Sequence, residues 1–237
     1  MNILTRLTGK VQRRLERVRI ARLRKSWTLP ERDLREFSVH AEGILEPLLD
    51  DICMPPFGGP TDHDDYTPLM AIAKSLNCRK IIELGTAYGN TVANLARHCP
   101  RAKILTVNAP VEVQTGGAVT FELTREEIGR VYVKYGYCDR IVQIFANTLD
   151  LDLAASMEDE PADLAIIDAC HDEQFVRNDF SKVMPFVSRG GFVVFHDTHP
   201  CMQNHLYGSY AACMGLRKDG FDICHLRDTW WGIWQNV

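Results

Sequence analysis

Three stretches of this 237-residue sequence hold residues whose types and spacing could do chemistry. The first is Ile81-Ile82-Glu83-Leu84-Gly85-Thr86-Ala87-Tyr88-Gly89-Asn90-Thr91, an apolar run that ends in an acid and opens into a glycine-flanked turn. Glycines at 85 and 89 let the backbone turn tightly and approach a ligand that a Cβ would exclude. A dinucleotide site would hold a pyrophosphate at the N-terminus of the helix that follows. The expected G-x-G-x-x-G is absent, because Ala87 stands where the second glycine belongs. Glu83 would repel a phosphate, whereas a cationic sulfonium amino acid suits it. The second stretch runs from Leu164 through Asp168, Cys170 and His171 to Asp179. The third runs from Pro185 through Gly190, Gly191, His196 and Asp197 to His199. Each places an Asp and a His after an apolar run, at the carboxyl ends of adjacent strands, where open α/β sheets bind ligands.

The elements that must position these residues follow from the pattern around them. Thr67-Pro68 reads as an N-cap with proline at the first helical position, opening a helix to about Asn77. Lys80–Leu84 is a strand, Asn90 can cap a helix over Thr91–His98, and Lys103–Val107 is a second strand. A long connection containing Gly116-Gly117 leads to Thr124 and Glu127, a capping box starting a helix to about Tyr135. Arg140–Phe145 and Asp163–Ile167 are further strands, Glu173–Val187 a helix, Gly190-Gly191 a turn, and Phe192–Phe195 a fifth strand. The tail adds a helix near Gln203–Lys218 and two apolar runs, Phe221–His225 and Trp230–Trp234, that fit a closing hairpin. Strands alternating with helices imply a sheet covered on both faces. The expected fold is α/β: a doubly wound, mostly parallel seven-stranded sheet with an antiparallel C-terminal edge hairpin and an N-terminal helical extension. Residues 31–50 read as one more helix, ahead of the Pro/Gly-rich segment Pro55–Pro60.

Composition narrows the class. Hydrophobic residues are 46% and charged residues 24%, values of a soluble globular chain with a sizeable core. Residues 1–26 hold nine Lys/Arg against Glu16, a net of +8, so the remainder carries −12 within the overall −4. An acidic body argues against nucleic acid as the main substrate. Leu4, Leu7, Val11, Leu15 and Val18 recur at helical spacing through the basic arm. That arm, within 1–29, suits a peripheral contact with an anionic membrane through residues 3–25; it equally suits packing on the body or on a second copy in a homodimer. Residues 30–237 form the second unit. Eight cysteines without a C-x-x-C pair read as reduced thiols, and no apolar run reaches the roughly 20 residues of a membrane span. The basic N-terminus lacks the apolar stretch of a secretory signal, so a cytoplasmic place is expected.

The order of Ile82-Glu-Leu-Gly-Thr-Ala-Tyr-Gly89, Ile167-Asp-Ala-Cys-His171 and Gly190-Gly-Phe-Val-Val-Phe-His-Asp197 resembles class I S-adenosylmethionine-dependent methyltransferases, over about residues 66–198. It looks closest to the O-methyltransferase branches with a strand-end Asp-Ala and a later Asp. The resemblance implies a Rossmann-like fold. It implies that Gly85, Thr86, Ala87, Tyr88 and Gly89 hold the methionine part of the cofactor, with Glu83 beneath and Asp168 close by. Asn108 would take the ribose hydroxyls and Asn147 would face the adenine. Families of this kind usually carry an acid at both positions; asparagine keeps an acceptor but not the charge. Some members bind a divalent cation through strand-end aspartates, and Asp168 and Asp197 match those positions. Their usual Asp-Asn or Asp-Asp pair is Asp197-Thr198 here, so His171 or His199 would complete the set, which favours a transition metal. Without metal, His171 or His196, with Asp168, would act as the general base. A third reading leaves His196 in the helical layer and His199 and His205 as solvated loop residues.

The leading expectation is therefore an enzyme that moves a methyl group from S-adenosylmethionine to a hydroxyl of a small molecule or sugar. Asn108 and Asn147 motivate an alternative, a catalytically inactive methyltransferase-like binding or scaffold protein docked through its basic arm. A nucleotide-dependent dehydrogenase fits less well, for want of the middle glycine. Trp230, Trp231 and Trp234 read as core and interface rather than a stacking platform. His63-Asp64-Asp65-Tyr66 suits either a lid over the cofactor or a solvated turn.

Overall fold

In the computed structural model, which describes residues 29–48, 66–113, 123–157, 160–199 and 207–237, the apolar runs read from the sequence become strands of one sheet. Strands β1 (Glu31–Arg32), β2 (Lys80–Leu84), β3 (Lys103–Asn108), β4 (Ile141–Phe145), β5 (Ala162–Ile167), β6 (Val187–Phe195), β7 (Cys224–Leu226) and β8 (Gly232–Gln235) lie in the order β1-β7-β8-β6-β5-β2-β3-β4. β2 to β6 are mutually parallel, while β8 runs antiparallel to both β6 and β7. The chain builds outward from β2 through β3 to β4, then crosses back to β5 on the other side. That reversal opens a crevice at the carboxyl end of β2, where doubly wound sheets take ligands.

Helices cover both faces, as parallel strands require. Successive strand residues point to opposite sides. Ile81, Ile104, Leu164, Ile166, Phe192 and Val194 meet α1 (Thr67–Ser75), α2 (Asn90–His98) and α3 (Arg130–Lys134) on one face. Ile82, Leu84, Leu105, Val107, Ala165, Ile167, Val193 and Phe195 meet α4 (Glu173–Val183) and α5 (Tyr207–Lys218) on the other. There Phe180 sits 4.9–5.5 Å, ring to ring, from Phe195, Phe221 and Trp234. Burying such a side chain contributes about 2–3 kcal/mol.

Five expectations need correction, one of them the turn at Gly190-Gly191, which lies inside β6. The sheet has eight strands rather than seven, because Pro30 and Arg32 carbonyls accept from His225 and Arg227 and add β1 at the edge. Residues 31–48 contain β1 and a single 3-10 turn, Leu34–Phe37, but no long helix. Ser38 turns left-handed at φ 58°, and body side chains hold the backbone beyond it: Lys74 Nζ donates to the Glu42 and Gly43 carbonyls and Asn94 Nδ2 to that of Leu48. The helix expected from Thr124 is confined to α3, because Gly129 at φ 76° sends its N–H to Ala87 instead of continuing a helix. α4 ends at Val183 and passes into a 3-10 turn with Pro185, a residue that cannot continue the ladder. The arm at 3–25, Pro55–Pro60, most of His63–Tyr66, Gly116-Gly117, His205 and the first residues of Gln203–Lys218 lie outside the described residues. No helix among the described residues is long and apolar enough to cross a membrane. Cys78, Cys99, Cys138, Cys170, Cys213 and Cys224 are free thiols.

Candidate active site

The loop after β2 is shaped by backbone demands first. Gly85 takes φ 110°, and its α-carbon abuts the Asp168 carbonyl, where a Cβ would collide with backbone. Ala87 takes φ 44°, the left-handed region a glycine would occupy without strain. The Gly85 N–H donates to Val107 O at 2.8 Å, and the Gly89 N–H to Thr86 O at 2.8 Å. From the far side, the N–H groups of Gly129 and Val131 donate to the carbonyls of Ala87 and Tyr88 at 2.9 and 3.0 Å. The Arg130 guanidinium lies 4.4 Å over the Tyr88 ring. The loop is thus clamped between β3 and α3.

Beneath it runs a buried polar chain. Gln143 Nε2 donates to Thr86 Oγ1 at 2.9 Å, Thr86 and Thr106 hydroxyls meet at 2.7 Å, and Thr106 Oγ1 donates to Glu83 Oε2 at 2.6 Å. Glu83 is 1% exposed. Burial pushes its carboxyl well above the usual range, against the Thr106 bond, and the Asp168 charge adds to the rise. Asn108 braces the same loop: its Oδ1 accepts the Ala87 N–H at 3.0 Å and its Nδ2 donates to Ala109 O at 3.0 Å. An aspartate there would face that carbonyl with like charge, which gives asparagine a local reason. Asn147 Oδ1 accepts the Leu149 N–H at 3.1 Å, forming the turn after β4.

Across the switch point, β5 and β6 deliver four titratable groups to one place. Asp168 and His196 continue their strands by backbone bonds to Leu84 O and Ile167 O. His196 Nδ1 lies 3.0 Å from Asp168 Oδ1 and 3.5 Å from Asp197 Oδ1. His171 Nε2 lies 2.9 Å from Asp197 Oδ2 and 3.4 Å from Asp168 Oδ1. Among the described residues no oxygen falls in line with the His171 N–H, although Asp197 Oδ2 lies 2.9 Å from that nitrogen. Asp197 holds φ 58°, the kind of backbone strain that collects at functional sites. Gly208, in the first turn of α5, abuts the His171 carbonyl and fixes that loop from behind.

Of the sequence candidates, His171, His196, Asp168 and Asp197 come together. His199 does not join them; its ring stacks edge-on with His225 and Trp230. Thr198 turns into the fold, where its hydroxyl meets His225 Nδ1 at 2.9 Å, so it faces away from the cluster.

Burial disfavours the His171 imidazolium, but Asp168 and Asp197 outweigh burial and raise its pKa from 6.5 to about 9. Burial also opposes ionisation of the two carboxylates, yet the imidazoles hold both below their ordinary range. A raised pKa means stability that is complete below pH 6.5 and lost as pH climbs through about 9. The interval corresponds to about 3 kcal/mol. The aspartates act oppositely, and their contribution fades only in acid, below their unfolded pKa of about 4. With chelator present, the urea midpoint is expected to fall between pH 6.5 and 9.5, and His171→Gln should flatten that slope. A wild-type midpoint that ignores pH over this interval would contradict the charge assignment.

Residues 82–198, which contain every strand-end group above, match the family model of the methyltransferase domain. This stretch is a methyltransferase domain. No curated protein matches the chain in sequence. Among solved structures, the O-methyltransferase TomG from Streptomyces achromogenes in complex with SAM is similar at TM-score 0.52 and 15% identity, over 88% of this chain and 90% of that one. The O-methyltransferase from Bacillus cereus in complex with SAH gives 0.51 and 17%, over 73% and 81%. An O-methyltransferase family protein from Burkholderia thailandensis gives 0.52 and 16%, over 72% and 55%. At such identities the likeness is one of fold.

The methyltransferase domain also uses residues that sequence reasoning passed over. Trp231 sits with its ring centroid 4.6 Å from that of His196, so a residue read as core also walls the cluster. Gly129 and Arg130 secure the loop after β2, and Gln143 joins the polar chain that leads to Glu83. None carries a local signal, because each acts on a partner remote in sequence.

Proposed function

We propose that this chain is an S-adenosylmethionine-dependent O-methyltransferase acting on a hydroxyl of a small molecule or sugar. The observation that carries the reading is the Asp168–His196 pair at the ends of two parallel strands, with the Asp168 carbonyl against Gly85 of the loop in a methyltransferase domain. S-adenosylmethionine, when bound, supplies a methyl on a cationic sulfur that an oxygen nucleophile can take in line. Gly85–Gly89 cradle its methionine part. Asp168 fixes the His196 ring with its proton on Nδ1, so that Nε2 receives the hydroxyl proton as the oxygen attacks. His171, as imidazolium between the two carboxylates, keeps them from repelling one another.

Calorimetry with S-adenosylmethionine tests the first half: micromolar binding supports an enzyme, and no detectable binding favours the scaffold alternative. Methyl-labelled cofactor with a panel of catechols, phenols and sugars tests the second half by transfer to oxygen.

A second reading has its own observation. Among the described residues, one ligand atom from each of Asp168, His171 and His196 lies within 4.8 Å of the others, and His171 Nε2 makes no directed bond there. Ligands about 2.1 Å from a metal would stand roughly 3.0–3.4 Å apart at 90–110°, and the two measured Asp168–His separations are 3.0 and 3.4 Å. These residues therefore fit a divalent cation, with Asp197 beside them, and two imidazoles favour Mn²⁺, Co²⁺ or Zn²⁺ over Mg²⁺. Such an ion would lower the pKa of a bound hydroxyl. On this reading, chelator-treated protein titrated with Co²⁺ gains visible absorption that His171→Gln removes; absence of that absorption leaves the direct base.

A further inference from the structure

A carboxylate can fix one nitrogen of an imidazole without fixing the plane of the ring, because a single N–H···O bond tolerates rotation about its own axis. His196 meets Asp168 in this way, Nδ1 to Oδ1 at 3.0 Å. The plane of the ring is met by Trp231, whose ring centroid lies 4.6 Å away at 54° between planes. Trp231 is 3% exposed, and its backbone is tied down on both sides. Its N–H donates to Thr229 Oγ1 at 3.0 Å, its carbonyl accepts the Leu226 N–H at 2.8 Å, and Thr229 Oγ1 donates to Leu226 O at 2.8 Å. The hairpin of β7 and β8 also grips β6 on either side of His196. Gly232 is the register partner of Phe195, and a Cβ on Gly232 would come within 2.9 Å of Thr198 Cγ2. Beyond His196, the Thr198 N–H donates to Trp230 O at 3.0 Å.

The geometry points to Trp231 as a positioning residue: its indole fixes the plane of the His196 imidazole, so that Nδ1 stays on Asp168 and Nε2 stays turned to the acceptor hydroxyl. The inference rests on the reading above, in which His196 Nε2 takes the hydroxyl proton. Trp231 acts through His196 alone. A ring held in this way carries its proton on Nδ1, against the carboxylate. A ring released from the indole samples orientations that break this bond, and an unconstrained neutral imidazole favours the proton on Nε2.

Long-range proton–nitrogen correlation spectra of the full chain, labelled at the histidine nitrogens, read this tautomer. They are taken with chelator, at a pH where the ring is neutral, and His196→Gln identifies the signals. Wild type should show one set with the proton on Nδ1, and Trp231→Phe should preserve it. Trp231→Leu should bring in the Nε2–H form. Should the cavity left by leucine prevent folding, Trp231→Met takes its place, since a flexible chain fills irregular space. Trp230→Leu is the control, because that ring meets His199 instead. With the acceptor that responds in the panel of catechols, phenols and sugars, Trp231→Leu should lower kcat about tenfold to a hundredfold. The KM for S-adenosylmethionine should change less than about threefold, and Trp231→Phe should restore most of kcat. An undisturbed Nδ1–H form in the leucine or methionine variant would overturn the assignment and leave Asp168 sufficient to hold the ring. So would an equal disturbance by Trp230→Leu, or an Nε2–H form in wild type. Wild-type protein that neither binds S-adenosylhomocysteine nor transfers a methyl would overturn the methyltransferase reading, while the tautomer would still decide what Trp231 does to His196.

Discussion

An Asp168→Asn variant is expected to keep S-adenosylmethionine and lose methyl transfer by at least about a hundredfold. The substitution preserves shape, and the backbone N–H of residue 168 still bonds to Leu84 O, so the floor of the crevice stays in place. What changes is charge and tautomer. The amide can present N–H to His196 Nδ1, which would move the ring proton to Nε2 and remove the base. The loss also deprives His171 of one of its two anionic neighbours, 3.4 Å away. If the four groups instead hold a cation, the same change removes a ligand, so the expected loss stands on either reading. Single-turnover transfer of a labelled methyl, beside calorimetry of cofactor binding, checks it. Binding within about tenfold of wild type but transfer at the wild-type rate would take Asp168 out of the mechanism.

Gly85→Ala should be the most destabilising small change in the domain. A Cβ at this position meets the carbonyl carbon and oxygen of Asp168 and the nitrogen of Ala169, all backbone, and the residue must hold φ 110°. Overpacking of that kind costs about 1–3 kcal/mol and the forced conformation about as much again. About 4 kcal/mol corresponds to a fall in Tm of roughly 8–16 °C for a chain of this length. Gly136→Ala is the matched control. Its φ of 75° imposes strain, but none of the described residues lies within 4 Å of the new methyl, so a loss of about 1 kcal/mol is expected. Thermal melts of the two variants side by side decide the matter. Equal losses would show that the Asp168 backbone is not held against the loop as tightly as the contact requires. Because that contact joins the loop after β2 to Asp168, surviving Gly85→Ala protein should also misplace Asp168 and, under the proposed mechanism, lose transfer.

Much of the site was legible because it rests on local physics. Alternating apolar residues demand strands, and 3.6-residue periodicity demands helices. Glycine at 85 and 89 announces a tight turn, and an Asp or His just past an apolar run announces a strand end. From residue 66 onward the sequence by itself therefore determined the succession of helices and strands, the three strand-end stretches and the membership in an α/β class. Tertiary structure decided the rest, because it depends on partners that no local pattern names. Strand order put Gly85 against Asp168. The left-handed turn at Asp197 brought that carboxylate to His171, while Thr198 turned inward to His225 and His199 to Trp230. Asn108 became a brace for Ala87 rather than an open acceptor, and residues 31–48 gave up helix for bonds to Lys74, Asn94 and β7. In each case the partner came from a distant part of the chain, and at Asn108 and Thr198 it satisfied a polar group in or near the core.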